Sequence, residues 1–480
     1  MEGQKKGLSE DWLSLWLGLA VFLLGLGLFL GWDILGWVTK TNVWTDLSKA
    51  IAPVSKVYKD LPSLISLFFM YLFFLFIMLI GAVALGARVE KFLLGFTLVF
   101  WISYLCYLGG HYAYIAATPD KLKSLGITWS LNLTGEAGYI FALLAGLIVG
   151  NFFPRFAEIL KEATRPELYI KTAIVIMGAG LGAKAAENLG LGSAIIFRGL
   201  CASIEVYLID WAVVYLVARY FFKFSREWAA PLASGISICG VSAAIATGGA
   251  IRARPVVPIM VSSLVVVFSV VELLILPFLS QTFLWTEPMV AGDWMGLAVK
   301  TDGDAIASGA IVDALVRAKT QAMTGVVYEA GWILMPATTS KIFIDMFIGI
   351  WAFILALIWV AKVDPSGEKV RAVEIWERFP KFVIGYFLTF IIMLFISLSS
   401  PAALKVAKAA TGETDIFRVM FFVLTFFTIG VVSNFKKLWE EGIGRLAAVY
   451  FVCLFGFIIW VGLLISYIFF HGIKPPVVGG

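Results

Sequence analysis

Long apolar stretches, separated by short polar segments, run along nearly the whole chain. Most of them approach or exceed the roughly 20 residues that a helix needs to cross the hydrocarbon core of a bilayer. They lack the short alternating pattern of outer-membrane strands. The pattern predicts an all-α polytopic membrane protein with about eleven transmembrane helices. Their approximate bounds are 12–30, 61–85, 92–115, 137–153, 169–186, 191–222, 255–279, 341–360, 379–398, 415–432 and 446–469.

Two segments rich in small residues interrupt this pattern. The first, residues 229–254, contains Gly235, Gly240 and Gly248, and a glycine in a helix interior costs about 1 kcal/mol relative to alanine. A backbone broken inside a membrane must be buried in protein or line a cavity, because lipid cannot satisfy its N–H and C=O groups. We therefore expect an interrupted or re-entrant helix that faces a site. An ordinary spanning helix with small-residue packing is the alternative.

The second segment, residues 296–318, repeats part of the first. The sequence A-I-A-T-G at 244–248 recurs as A-I-A-S-G at 305–309, directly after the charged cluster K-T-D-G-D at 300–304. Paired interrupted segments in a hydrophobic protein indicate a transporter site. A second internal similarity links residues 178–190 with residues 430–442, since both segments begin and end with glycine and have a lysine six residues after the first glycine. It favours an inverted-repeat design in which the elements follow in a different order in the two halves.

Basic residues in short loops mark the cytoplasmic side of a membrane protein. The basic loops alternate along this chain only if each small-residue segment returns to the side from which it starts. Arg252 and Arg254 are then cytoplasmic, as Arg226 is, and the loop 280–299, which lacks lysine and arginine, is external. This distribution of basic residues favours two re-entrant hairpins from opposite faces, with the N-terminus inside and the C-terminus outside.

Composition agrees with a membrane protein and restricts its chemistry. Hydrophobic residues make up 61% of the 480 residues and charged residues 14%, whereas soluble domains carry about 25% charged residues. The net charge of +5 reflects basic loops, and no nucleic-acid partner is expected. No HExxH, GxSxG or P-loop pattern occurs, so we expect neither an enzyme nor a cofactor. The cysteines lie in apolar segments without CxxC spacing and predict free thiols, with no metal site: Cys106, Cys201, Cys239 and Cys453.

Ionisable residues also occur inside the predicted span 191–222. Arg198 and Glu205 lie seven residues apart and so share a helix face. Because intramembrane charges usually face the bundle interior and pair, we predict an intramembrane charge pair between them. Its role is taken as structural.

Several motifs together carry a family resemblance. The most specific is Ser237-Ile238-Cys239-Gly240, supported by segments 171–182, 296–299 and 378–387. On these residues the chain resembles the YeiH-like family of sulfate exporters from about residue 141 to 469. The resemblance implies an inverted-repeat secondary transporter with discontinuous helices. The chain departs from the family where members have a His-Asp-Thr sequence, because Lys300-Thr301-Asp302 places a fixed cation at the position of the histidine.

The leading hypothesis is a secondary transporter that moves a small oxyanion, sulfate or a sulfonate, across the cytoplasmic (inner) membrane by alternating access. Helix N-termini that meet at the midplane suit an anion. The proposed substrate-binding residues are Ser237, Cys239, Gly240, Ser242, Lys300 and Thr301. Asp302 and Asp304 would bind a coupling proton or sodium ion.

Two other functions remain open at this point. One is a cation/proton antiporter in which Asp302 and Asp304 form the site and Lys300 is a counter-ion. The other is a non-transporting membrane scaffold subunit. Residues 1–136 are expected to be accessory transmembrane helices and residues 137–480 the transporter core. The lipid bilayer is a partner in every case, and a homo-oligomer is left open.

Overall fold

The computed structural model describes residues 9–118, 121–131, 133–254, 256–363, 373–433 and 444–478. Within these residues, ten helices are long and apolar enough to cross a membrane. An eleventh is obtained if Ala137–Phe152 and Pro154–Ala163, which are bent by 117° at Phe153, count as one span. The predicted all-α membrane fold with about eleven spans is therefore confirmed.

The α-helices follow one another in this order: α1 (Glu10–Gly25), α2 (Ser63–Ala84), α3 (Val89–Gly110), α4 (Ala113–Ala116), α5 (Ala137–Phe152), α6 (Pro154–Leu160), α7 (Pro166–Glu187), α8 (Leu189–Glu205), α9 (Trp211–Leu216), α10 (Arg226–Ser237), α11 (Val241–Ala250), α12 (Val256–Phe283), α13 (Pro288–Ala298), α14 (Asp302–Thr324), α15 (Leu334–Lys362), α16 (Val373–Arg378), α17 (Lys381–Ser399), α18 (Pro401–Val432), α19 (Gly444–Cys453) and α20 (Ile459–Phe470). Three π-helical turns continue α8, α9 and α19: Val206–Asp210, Val217–Phe221 and Leu454–Ile458. Short 3-10 turns are Leu26–Leu30, Leu47–Lys49, Lys56–Tyr58 and Lys161–Ala163. Two short strands, β1 (Thr39–Thr41) and β2 (Ile51–Pro53), pair antiparallel.

The chain divides into two compact units. The first contains Met1–Gly192 and Lys381–Val432, and the second contains Ser193–Pro380 and Ser433–Gly480. This division falls after Gly192 and not after residue 136. The accessory role of residues 1–136, and the inverted repeat, stay predictions. Of the similar segments 178–190 and 430–442, residues 434–442 lie outside the described residues.

Glycines let the helices of the first unit approach backbone to backbone. A Cβ atom at Gly178 would collide with the backbone of Tyr386, and one at Gly182 with that of Phe390, so α7 and α17 pack closely. Gly146 and Gly430 do the same for α5 and α18. The glycine-rich fifth span thus follows the small-residue rule for helix packing in membranes.

In the second unit, the first small-residue segment is a helical hairpin, named hairpin A here (α10 and α11 with residues 238–240 between them). Thr247 Oγ1 donates to Ser234 Oγ at 2.7 Å. At the open end, Arg254 Nε lies 3.0 Å from Glu227 Oε1. Residues progressively farther before and after the break are therefore neighbours, which requires the two half-helices to run antiparallel. The alternative of a single spanning helix is wrong.

The second small-residue segment forms hairpin B (α13 and α14 with residues 299–301 between them). Thr320 Oγ1, far along α14, donates to the backbone oxygen of Trp285 at 3.4 Å. Trp285 precedes α13, so this hairpin also closes on itself. Both small-residue segments are therefore interrupted helices, as predicted, while their re-entry into a membrane stays a prediction. The expectation of a loop over residues 280–299 was wrong, because α13 occupies residues 288–298 and is buried.

The two hairpins enter from opposite ends of α12. This helix contains 28 residues and is therefore about 42 Å long at 1.5 Å per residue, more than the ~30 Å hydrocarbon core. The open end of hairpin A lies at its start, beside Arg254, and that of hairpin B follows its end, beside Trp285. This geometry agrees with entry from opposite faces, while the assignment of the cytoplasmic face stays a prediction.

Candidate functional site

The tips of hairpins A and B touch each other. Gly240 has φ +72° and ψ −114°, a conformation that glycine adopts readily and other residues rarely do. A Cβ atom there would lie 3.2 Å from Thr301 Cγ2 and 3.5 Å from the Lys300 carbonyl oxygen. Gly240 thus allows the tip of hairpin A to lie directly against the tip of hairpin B.

Lys341 of α15 bridges the two tips. Its side chain is fully buried, and its ammonium donates to the backbone oxygens of Lys300 at 2.8 Å, Ile238 at 3.1 Å and Val299 at 3.5 Å. Backbone carbonyls at the end of a helix lack intrahelical partners and carry the negative end of the helix dipole. Lys341 therefore neutralises the carbonyl ends of α10 and α13 together. Asp302 Oδ1 lies 3.8 Å from the same ammonium.

Lys300 forms a second crosslink between the tips. Its ammonium donates to the backbone oxygens of Leu297 at 2.5 Å and Ser237 at 3.3 Å, and it lies 3.7 Å from Asp210 Oδ2. Its backbone N–H donates to Glu272 Oε2 of α12 at 3.0 Å. Lys300 is fully buried. Both hairpins and two neighbouring spans therefore meet at this residue.

Thr301 caps α14. Its hydroxyl accepts the N–H of Asp304 at 3.2 Å and donates to Asp304 Oδ2 at 2.5 Å. A polar cap of this kind satisfies one of the donors at a helix start. Asp302 and Asp304 are only 4% and 1% exposed. The start of α14 is thus capped and buried, and it is not a solvated surface turn.

The other predicted substrate residues lie around the tip of hairpin A. Ser237 ends α10, Cys239 and Gly240 form the break, and Ser242 lies in the first turn of α11. Ser237 Oγ is buried, and no described group is its hydrogen-bond partner. Ser242 is half-buried. The structure brings these residues to one place, and their role in binding a substrate stays a prediction.

Cys239 belongs to a group of potential metal ligands. Its thiol and carboxylate oxygens of Asp302 and Asp345 all lie within 4.8 Å of one another. A thiolate with two carboxylates is a donor set that a divalent transition metal could use, although the ammonium of Lys341 beside Asp302 would oppose a second cation. No metal site was expected from the sequence, because the cysteines lie in apolar segments without CxxC spacing. All four cysteines are free thiols.

The predicted pair between Arg198 and Glu205 is not formed, and this prediction was wrong. Arg198 Nη1 donates to the backbone oxygen of Phe469, and neither carboxyl oxygen of Glu205 has a hydrogen-bond partner among the described residues. Residues seven apart are separated by about 10.5 Å along a helix. A π-helical turn also begins directly after Glu205, and Glu205 interacts with Asp210.

Several buried ionisable groups lie at or near the hairpin tips but were not predicted as site residues from the sequence. Asp293 of α13 accepts the hydroxyl of Ser340 and, at 2.7 Å, that of Ser466, so it ties α15 and α20 to hairpin B. The signal was present in each case as a single charged residue within an apolar run, which inside a membrane usually marks function. The missed groups are Asp210, Glu272, Asp293, Lys341 and Asp345.

Comparisons with known proteins agree on one family. A family model described as "Conserved hypothetical protein 698" matches residues 95–449. A "UPF0324 membrane protein" of Nitrosomonas europaea is 42% identical over 474 residues, which cover 98% of this chain and 97% of that protein. Another, of Nitratidesulfovibrio vulgaris, is 28% identical over 83% of this chain and 63% of its own length. An "Uncharacterized protein" of Archaeoglobus fulgidus is 54% identical over 30% of this chain and 88% of its own length. No solved structure matches.

Proposed function

Because this chain belongs to the UPF0324 family of membrane proteins, we propose that it is a secondary active transporter with its site at the tips of hairpins A and B. One observation carries the proposal. Two broken helical hairpins enter from opposite ends of α12, and their tips meet among buried charged groups. Discontinuous helices at membrane depth are tolerated where they line a protein-enclosed site, and transporters bind their cargo at such breaks.

We propose further that carboxyl groups at this site bind the coupling proton or cation. The buried carboxyl groups around the hairpin tips outnumber the ammonium groups of Lys300 and Lys341. Asp210, Glu272 and Asp302 lie beside the lysines, Asp304 interacts with Glu272, and Asp345 lies near Cys239 and Asp302. Burying an uncompensated carboxylate is costly, so the surplus must hold protons or cations. This charge balance favours Asp302 and Asp304 as groups that exchange a proton or a sodium ion.

The positions of the two lysines also favour a cation. An ammonium has three N–H donors, and those of Lys341 are directed at three backbone oxygens. Lys300 donates to two carbonyls and faces Asp210. An anion that approached either lysine would have to displace these acceptors. The two lysines stabilise the broken tips, and the proton- or cation-coupled function is our first candidate.

A small oxyanion as the cargo is the second candidate, and one observation favours it. The start of α11 has Gly240 as its cap and no side-chain hydrogen bond there, and the nearby Ser237 hydroxyl is buried without a described partner. A helix start with a free hydroxyl offers donors to an anion. In that case the anion would travel with protons or cations that offset its charge, across the cytoplasmic membrane.

Reconstitution of the purified protein into liposomes tests both candidates. An imposed sodium gradient should drive proton movement, recorded with a pH-sensitive dye, and Asp302→Asn and Asp304→Asn should abolish it. Glu158→Gln is the matched control, because Glu158 is exposed and pairs with Lys161. Radiolabelled sulfate uptake that depends on the pH gradient would favour the oxyanion. If neither ions nor sulfate move, the protein is a non-transporting membrane subunit and the proposal fails.

A further inference from the structure

Glu205 and Asp210 flank a π-helical turn of the span that begins with α8. In a π-helix each N–H bonds to the carbonyl five residues earlier, as the N–H of Trp211 does to Val206. In a regular α-helix, residues five apart point in directions about 140° apart. The π-turn instead brings them close to one face, and the two carboxyl groups interact with each other.

Both carboxyl groups are buried, and neither accepts a hydrogen bond from the described residues. Glu205 is 5% exposed and Asp210 is fully buried, and no described group hydrogen-bonds to any of their four oxygens. Most buried polar groups in proteins have a partner, so such groups require an explanation. A pair of buried, unsatisfied carboxyl groups beside a π-turn is a place where a ligand can be exchanged.

The ionisable groups that face this pair decide which ligand fits. The ammonium of Lys300, from the tip of hairpin B, lies 3.7 Å from Asp210 Oδ2. Asp293 of α13 acts on Glu205, and the thiol of Cys453 of α19 faces Asp210. One ammonium can compensate one carboxylate. A second carboxylate in the same buried place would be uncompensated, and two adjacent carboxylates repel each other.

We propose that Glu205 and Asp210 hold one proton between them and form a proton-binding site separate from Asp302 and Asp304. Asp210 is the carboxylate that faces Lys300, and Glu205 carries the proton. Release of the proton to water leaves a second carboxylate, which attracts Lys300 away from the carbonyls of Leu297 and Ser237 and so loosens the contact between the hairpin tips. The role of this proton in transport rests on the proposed function, whereas the shared proton itself does not.

Infrared difference spectroscopy of the full chain in liposomes tests the shared proton directly. Because other buried carboxyl groups of the site can also hold protons, the spectrum of each variant is subtracted from that of the wild type. The shared proton should give one protonated C=O band that disappears as the pH is raised. Glu205→Gln should remove this band, because Asp210 remains compensated by Lys300. Asp210→Asn should also remove it, because Lys300 then compensates the Glu205 carboxylate and the pair no longer needs a proton. Glu158→Gln is the control and should leave this band unchanged, since Glu158 is exposed and lies outside the site.

An unchanged band in Glu205→Gln would overturn the proposal. If that variant does not fold, Glu205→Asp replaces it, because this variant retains a carboxyl group in a new position and should shift the band. A band that stays in place in Glu205→Asp would equally overturn the proposal.

Proton flux measured in the same liposomes separates this inference from the proposed function. Normal flux without the Glu205 band would refute the shared proton and leave the transporter. The band without any flux of protons, sodium or sulfate would support the shared proton and refute the transporter.

Discussion

Replacing Lys341 with methionine should destabilise the meeting of the two hairpin tips more than any exposed lysine substitution would. Methionine retains most of the length and the apolar stem of the side chain. It removes the ammonium that donates to Ile238, Val299 and Lys300. The carbonyl oxygens at the ends of two half-helices would then lack their cation while they remain buried.

The expected magnitude follows from the geometry. Hydrogen bonds from a charged donor contribute about 1.5–3 kcal/mol each, and two of the three are short, at 2.8 and 3.1 Å, while that to Val299 is long at 3.5 Å. Two such bonds would give about 3–6 kcal/mol. Removing the ammonium also relieves its own cost of burial. We therefore expect a loss of about 3–5 kcal/mol, the range for breaking a buried charge interaction from one side.

Equilibrium unfolding in detergent, followed by tryptophan fluorescence, measures this loss. Lys341→Arg should recover part of it, since the charge remains but a planar guanidinium cannot reproduce the three directions of the ammonium donors. Lys161→Met is the control. Its ion pair with Glu158 is exposed, and such pairs contribute about 0–1 kcal/mol. If Lys341→Met unfolds within about 1 kcal/mol of the wild type, the ammonium does not hold the tips together.

Two further experiments test the hairpins themselves. Gly240→Ala should destabilise the protein by at least about 1–2 kcal/mol, the cost of a positive φ for a residue with a Cβ atom. The φ of Gly240 is +72°, and a Cβ atom there would lie 2.7 Å from Val265 Cγ1. Gly249→Ala is the control in the same unfolding assay and should not destabilise the protein, because Gly249 has open space around it. Arg252→Cys should react with a membrane-impermeant thiol reagent from the cytoplasmic side only, and Thr286→Cys from the other side only, since both positions are exposed at the open ends of different hairpins. Labelling of both from one side would contradict entry from opposite ends of α12.

The spans and hairpins could be predicted because their causes are local in sequence. An apolar run of sufficient length has few alternatives inside a membrane. The glycines of residues 229–254 weaken a continuous helix, and the basic loops require an even number of passes through the segment. The break itself falls at Gly240, where the backbone has positive φ.

The charge pairs could not be predicted, because they depend on which segments meet in space. Lys341 was expected only to begin a span, and in the structure it bonds to backbone oxygens of two distant hairpins. Helical periodicity suggested Arg198 as the partner of Glu205, but a π-turn changes which residues share a face. A single inserted residue in a helix leaves no clear mark in an apolar sequence, so helical periodicity alone could not identify Asp210 as the neighbour of Glu205.

The lysine at position 300 also explains why titration should fall on carboxyl groups in this chain. The resemblance placed a histidine at this position in related proteins, and a histidine can lose its charge near neutral pH. Lys300 instead donates to two helix-end carbonyls and lies near Asp210. Because its side chain holds the hairpin tips together, it is poorly suited to exchange a proton with water. We therefore expect the exchangeable proton on a neighbouring acid, and Glu205, which interacts with Asp210 and has no described hydrogen-bond partner, is the acid that we propose.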